Sequence, residues 1–308
     1  MFGYNYLEID KWKFFGCESE KKQQFIEETF NKSGIISLSH KQVCDYLSST
    51  RGDKLSKEIS KAFLEDPFRR KHHHNLVLDT FLRISYDNDD FSSSEEICKV
   101  CMSSKQGLGK RMSRVIYLTH CYNNENHDAV LEAFENFEVT SNDEQLIVMA
   151  SLYKTKTENA LKKATEIMNE YIKNRRKLSR IDCIYSMLAI DIGYFNLAID
   201  HLLSNPRISD VNDNIVCLAY IKNNEIGKAI DHLVTAVQSP KRRLKMLVFP
   251  EVMDIFGEAV KSAQNDALSK MFSLMCQELD ERATLAESTL RESILMTVEP
   301  KPKDSENV

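Results

Sequence analysis

Residues Ala198 to Leu202 read AIDHL, and Ala229 to Leu233 read AIDHL again, 31 positions further along. Each copy follows the same events: a run of apolar residues, a polar turn (DIGYFN before the first, KNNEIG before the second), then the Ala-Ile-Asp-His-Leu that opens a second apolar stripe. A helix, a tight turn and an antiparallel helix produce that pattern. Such a unit cannot bury its apolar face alone, so it stacks on copies of itself. The expectation is an all-α chain, a right-handed α-solenoid of stacked antiparallel helical hairpins.

Outward from those strings, the alanine that opens the second helix of a unit recurs at Ala129, Ala160, Ala198 and Ala229, with gaps of 31, 38 and 31 residues. Each is followed by an aliphatic residue: Val130, Leu161, Ile199 and Ile230. A small side chain is wanted there because the two helices of a hairpin approach most closely near their turn. The chain then divides into an irregular helical region over 1–107, helical-hairpin repeats over 108–240, capping helices over 241–297 and a disordered tail over 298–308. The tail, EPKPKDSENV from Glu299, is polar and contains proline.

Bulk composition agrees with an all-helical reading. Hydrophobic residues make up 42% of the 308, while 9 Gly and 6 Pro are few for a fold built of strands and turns. The net charge of −5, from 41 Lys+Arg against 46 Asp+Glu, supplies no global field toward nucleic acid or anionic lipid, so any basic surface is local. No apolar run is long enough to span a bilayer, and no membrane insertion is expected. The opening MFGYNYLEIDKWKFF has neither an apolar signal-peptide core nor an Arg- and Ser-rich amphipathic presequence. Its aromatics, around the single Trp12, are expected to dock on the first helices. Eight cysteines are spread among apolar neighbours without framework spacing, as reduced packing thiols are.

In the first third, Lys21–Asn31 places Phe25, Ile26 and Phe30 on one stripe, and Ser39 is predicted to cap a second helix. Lys54–Leu64 carries Leu55, Ile59, Ala62 and Phe63 at helical spacing, ended by Pro67. PFRRKHHHN at 67–75 reads as a basic loop, and Leu76–Tyr86 resumes the apolar pattern. Ser94 is predicted to cap a helix through Glu95, Ile97, Val100 and Met102. After Pro240, KRRLKMLVFPEVMDIFGEAVKSA gives a basic loop and a longer helix, and Asp266–Arg282 a further one.

The unit VNDNIVCLAYIKNNEIGKA, Val211–Ala229, resembles a pentatricopeptide repeat. It shares that family's opening Val, an Asn three residues later, the Ala-Tyr pair, Lys-Asn before the turn, Glu-Ile after it and Lys-Ala at the start of the second helix. From about Glu144 to Asp280 the chain is similar to mitochondrial members of the family, on KLSRIDCIYSMLAIDIGYFNLAIDHLL, NIVCLAYIKNNEIGKAIDHL and LKMLVFPEVMDIFGEAVK. The resemblance implies a partner, single-stranded RNA of a mitochondrial transcript, with other RNA-processing proteins alongside. It implies a role in transcript maturation in the mitochondrial matrix that supports the respiratory chain. In that family one base is read per repeat by a polar residue of the first helix together with the residue at the repeat's end. Aligned on the alanines, the first-helix position falls on Arg114, Gln145, Cys183 and Asn214. Asn214 fits the family pattern, Gln145 is chemically able, Arg114 suits phosphate, and Cys183 departs from it. The short spacings leave the end-of-repeat partner undefined, which favours loose RNA contact or protein contact.

Cys98-x-x-Cys101 with His72, His73, His74, His120 and Cys121 lacks a second pair at finger spacing, and two cysteines on one helix face read as core. His201 and His232 each follow an Asp, but helix neighbours point about 100° apart and form no dyad. Their recurrence at equivalent positions is what packing between repeats produces. With no Gly-rich phosphate loop and no triad-like grouping, neither catalysis nor a cofactor or metal is expected. Three basic clusters remain: Arg69-Arg70-Lys71 with the histidines; Lys173, Arg175, Arg176, Lys177 and Arg180; and Lys241, Arg242, Arg243 and Lys245. The last two fall in inter-repeat loops, where stacking would bring them to one edge as a phosphate-tracking surface. A peptide-holding scaffold is the alternative for such a fold.

Overall fold

The structure, a computed structural model, describes residues 16–103, 111–136, 141–173, 179–204, 209–242, 244–296 and 298. The aromatic N-terminal stretch before residue 16 and the expected tail after Val298 lie outside them. The chain divides into two units, Met1–Ser141 and Asn142–Val308. The first holds α1 (Gly16–Ser33), α2 (His40–Thr50), α3 (Lys54–Glu65), α4 (Lys71–Asp87), α5 (Phe91–Ser103), α6 (Arg111–Asn123) and α7 (His127–Asn136). The second holds α8 (Asn142–Thr155), α9 (Glu158–Lys173), α10 (Ser179–Ile192), α11 (Phe195–Ser204), α12 (Asp210–Lys222) and α13 (Ile226–Val237). It continues with β1 (Met246–Val248), α14 (Pro250–Ala263), α15 (Asp266–Arg282), β2 (Ala283–Leu285) and α16 (Leu290–Leu295). The all-α class read from the sequence is what the described residues form.

The polar turns between paired helices share one backbone device. A single residue in the left-handed region closes α4, α6, α10 and α12: Asp89 (φ 56°), Glu125 (φ 57°), Gly193 (φ 96°) and Asn224 (φ 60°). The next amide then reaches back five residues in register, Asp90 to the Ser85 carbonyl, Asn126 to Cys121, Tyr194 to Ala189 and Glu225 to Tyr220, at 2.8–2.9 Å. This satisfies carbonyls that the helix end leaves orphaned and starts the next helix within two residues. The recurring alanines then sit in the first turns of α7, α9, α11 and α13. Ala160, Ala198 and Ala229 are buried, whereas Ala129 is half-buried and leaves the contact to Val130.

In the second unit the two helices of a pair differ in how they are buried. In α8 every residue from Ile147 to Tyr153 is buried, and in α10 every residue from Ile181 to Ile190. A helix apolar all round has neighbours on all sides. The packing supplies them: α10 touches α8, α9, α11 and α12, and α12 touches α10, α11, α13 and α14. By contrast, α9 buries one stripe, Ala160, Leu161, Ala164, Ile167, Met168 and Tyr171, and gives its other face to solvent. Near the end of the chain α16 lies against α10 and α12, where Arg291 Nη2 donates to both carboxylate oxygens of Asp191, at 3.0 and 3.1 Å. The capping region holds more than the two expected helices. β1 and β2 pair in parallel, Met246 opposite Ala283 and Val248 opposite Leu285.

In the first unit Ser39 caps α2 as the sequence predicts, through a reciprocal capping box with Gln42. Two expectations are corrected. The loop read over 67–75 ends at Arg70, and Lys71 opens α4, so the three histidines form its first turn. No breaker follows Pro67, and His74 falls on the stripe of Val77 and Leu78, where it is 4% exposed and edge to face with Phe63, ring centres 5.8 Å apart. Ser94 is not a cap either. Asp90 caps α5 by accepting the Ser93 amide at 3.1 Å, and Ser94 lies buried one turn inside.

The buried Ser94 hydroxyl meets His120 Nδ1 at 3.0 Å, which ties α5 to α6. The His120 ring is closed in by Tyr86 and Phe91, edge to face at 5.5 and 5.3 Å. Burial lowers its pKa, and the carboxylates of Asp89 and Asp90 only partly offset this. The unfolded chain therefore takes up this proton first as pH falls, so stability is full above the ordinary histidine pKa of about 6.5 and is lost below it. Thermal melts from about pH 7.5 down to about pH 5.5 should show a falling midpoint that flattens in His120→Gln. An identical slope in the variant contradicts the assignment.

Candidate functional site

The two AIDHL strings lie at the starts of α11 and α13, and their histidines reach back across the pair to the first helix. His201 Nε2 lies 3.0 Å from Asp182 Oδ1 on α10, and His232 Nε2 lies 3.2 Å from Asp213 Oδ1 on α12. Asp182 and Asp213 are themselves 31 positions apart, like the histidines. The motif is thus a repeated Asp-to-His joint between the two helices of a unit, 19 residues apart in each. The second joint is looser, its Nε2 lying off the hydrogen-bonding direction to the carboxylate. The adjacent Asp200 and Asp231 are exposed and take no part in either joint.

A larger polar cluster gathers at the start of α12. Asn214, with no solvent exposure, donates through Nδ2 to the carbonyls of Asp210 (2.7 Å) and Leu247 (2.9 Å). Its Oδ1 accepts the Phe249 amide at 3.2 Å. Asp210 accepts the Leu247 amide at 3.1 Å. The free edge of β1 is thus satisfied by two side chains of α12 in place of a third strand. Arg242 completes the cluster, pairing with both Asp210 and Asp213 and donating through Nε to the Ala236 carbonyl at 2.8 Å. Its side chain is 8% exposed.

The residues aligned as base readers have unequal surroundings. Asn214 is spent on the backbone of β1, and Cys183 is buried with its thiol donating to Asn212 Oδ1 at 2.9 Å. Gln145 is half-buried, and its Oε1 is buried without a hydrogen bond. Arg114 is half-buried on α6, in the first unit. Of the basic clusters, Lys173, Lys241 and Lys245 are exposed, and Arg180 is half-buried with Nη1 enclosed. Arg175, Arg176, Lys177 and Arg243 lie outside the described residues. The structure brings together Asn214 and Arg242 through Asp210, and it uses both to hold the fold. The repeated aspartates and the role of Arg242 escaped the sequence reading. Asp182 and Asp213 were findable, since they keep the period of the histidines they serve.

Cys98, Cys101 and Cys121 behave as core. Burial pushes Cys101 and Cys121 each up to about 12, and raises the fully buried Cys98 as well, so all three remain thiols at neutral pH. Among the described residues no group of three or more His, Cys, Asp or Glu is arranged to hold a metal ion. A shallow groove runs between α13 and α15, floored by Ile230, Val234 and Met275, with Leu274 65% exposed on its wall and Asp231 and Glu281 on its rim. No helix among the described residues is long and apolar enough to cross a membrane.

No protein-family model matches the chain, and no curated protein matches it.

Removal of Arg242 leaves two carboxylates in the first turn of α12, with the looser His232 contact to Asp213 remaining. Arg242→Ala is expected to destabilise the second unit by about 3 kcal/mol, at the low end for a broken buried pair because Asp210 retains some contact with water. Arg242→Lys recovers only part, since a single ammonium cannot fork onto two acids. Urea unfolding measures both. A loss below about 0.5 kcal/mol, the range of ordinary surface substitutions, contradicts the role.

Proposed function

We propose that this chain is a noncatalytic RNA-associated helical-repeat protein of the mitochondrial matrix, a pentatricopeptide-type α-solenoid that assists maturation of a mitochondrial transcript and thereby supports the respiratory chain. The observation that carries the reading is the repeated helix pair. The α10–α11 and α12–α13 pairs share the left-handed turn, the buried alanine and the Asp-to-His joint at one spacing, and the second pair holds the unit that resembles the family's repeat. A stack of identical units presents the same face to successive segments of an extended polymer.

The surroundings of Asn214 and Arg242 narrow the mode of contact. Both are engaged inside the fold, so base-by-base reading through them would break bonds that hold β1. Contact then falls to the exposed cations Lys173, Lys241 and Lys245 and to their sequence neighbours Arg175, Arg176, Lys177 and Arg243. Such contact tracks phosphates and is loose in sequence preference. A protein scaffold is the second reading, favoured by the groove between α13 and α15, whose methionines and exposed leucine suit an amphipathic helix.

Binding of the full chain to a pool of fluorescent single-stranded RNAs across a salt series tests the proposal. Affinity is expected to fall with salt, by a slope of about −0.7 for each phosphate contacted. A variant with alanine at Lys173, Arg175, Arg176, Lys177, Lys241, Arg243 and Lys245, leaving Arg242 in place, is expected to lose most of it. No binding at low salt overturns direct RNA recognition and moves the function to protein partners.

A further inference from the structure

The turn between α3 and α4 carries side chains that the repeats do not use. Phe68 is 92% exposed, the most exposed large apolar side chain among the described residues. Keeping such a ring in water forgoes about 1.5–3 kcal/mol of burial. The turn beneath it is nevertheless fixed. Arg69 pairs with Asp66 at 2.9 Å, donates to the carbonyls of Ile35 (2.6 Å) and Ile36 (3.0 Å), and lies 4.8 Å over the Phe63 ring. The Phe68 amide donates to Asp66 Oδ1 at 3.0 Å. Phe68 is therefore held at the tip of a braced turn.

Positive charge surrounds it. Arg70 and Lys71 follow directly, both exposed and with no ion pair among the described residues. His73 stacks on His40 at 4.0 Å, 14° from parallel, with His72 6.1 Å away. The pKa of His73 is lowered, first by desolvation and then by repulsion from His40, His72, Arg70 and Arg69, as a surplus of cations dictates. The positive end of the 17-residue α4 adds to the same surface. An exposed ring on a braced turn beside cations without ion pairs is the pairing that single-stranded nucleic acids need, because every base has a face to stack and every linkage carries a charge.

We propose that this turn is a second RNA contact, in which a base stacks on Phe68 while the flanking phosphates are held by Arg70 and Lys71. The site rests on the RNA reading above but lies in the other unit of the chain, so the two can fail separately.

The test is fluorescence anisotropy of the full chain with a short fluorescein-labelled single-stranded RNA of mixed sequence. Phe68→Ala and Phe68→Leu are expected to weaken binding about fivefold or more, and Phe68→Trp to retain it. Arg70→Ala with Lys71→Ala weakens binding and reduces the salt slope by about 1.4, two single-strand phosphates. Unchanged urea midpoints confirm that all variants are folded, since these side chains are exposed. If the parent chain binds RNA and every variant binds equally, this site is overturned while the proposed function stands. If the parent chain does not bind, both are overturned. Full retention by Phe68→Leu, with preference for phosphatidylserine vesicles over RNA, overturns it in favour of a membrane surface, where any apolar side chain inserts.

Discussion

The structure of the second unit depends on one constraint: its first helices, α8, α10 and α12, are buried on nearly every side. A helix in that position leaves little water for its polar side chains, so each finds a partner inside the protein or costs free energy. Asp182, Asp210, Asp213 and Asn214 all stand at the starts of such helices, and all are joints. They fasten the second helix of the pair through His201 and His232, or the capping region through Arg242 and β1. Asn214, which the resemblance implies to be ligand-facing, is here one of the fastenings of the fold.

That constraint explains which parts of the chain were legible. The helix pairs announce themselves because their turn, alanine and apolar stripe are local, and each has its own chemistry within a few residues. The histidines were visible as a repeat, but their partners lie 19 residues upstream on another helix, where no local pattern connects them. Arg242 carries no sequence signal that separates a buried fork from a solvated loop cation, since both are arginines in a basic run. β1 and β2 are three residues each, too short for an alternating pattern to stand out, and their hydrogen bonds join positions 37 apart. The corrected start of α4 has a related cause. A run of basic residues and histidines looks like a loop by composition, yet one buried histidine on the stripe of Val77 and Leu78 suffices to make it a first turn.

The same physics separates two kinds of basic residue. Cations that meet a carboxylate inside the fold, such as Arg242 on Asp210 and Asp213 of α12 or Arg69 on Asp66 in the α3–α4 turn, build the fold and are lost to any ligand. Cations left in exposed turns, Arg70, Lys71, Lys241 and Lys245, keep their field for something outside. The chain is acidic overall, so such patches act locally and at short range. An RNA partner of the kind proposed would then be held at exposed turns rather than at the starts of the buried helices.

Ultraviolet crosslinking of the full chain to single-stranded RNA, with the attached peptides read by mass spectrometry, tests that central claim most directly. The account predicts crosslinks at Phe68 and in the stretches 173–180 and 241–245, with none at Asn214. Crosslinks centred on Cys183 and Asn214 would contradict it, because those buried side chains could reach RNA only if the bonds described above were open.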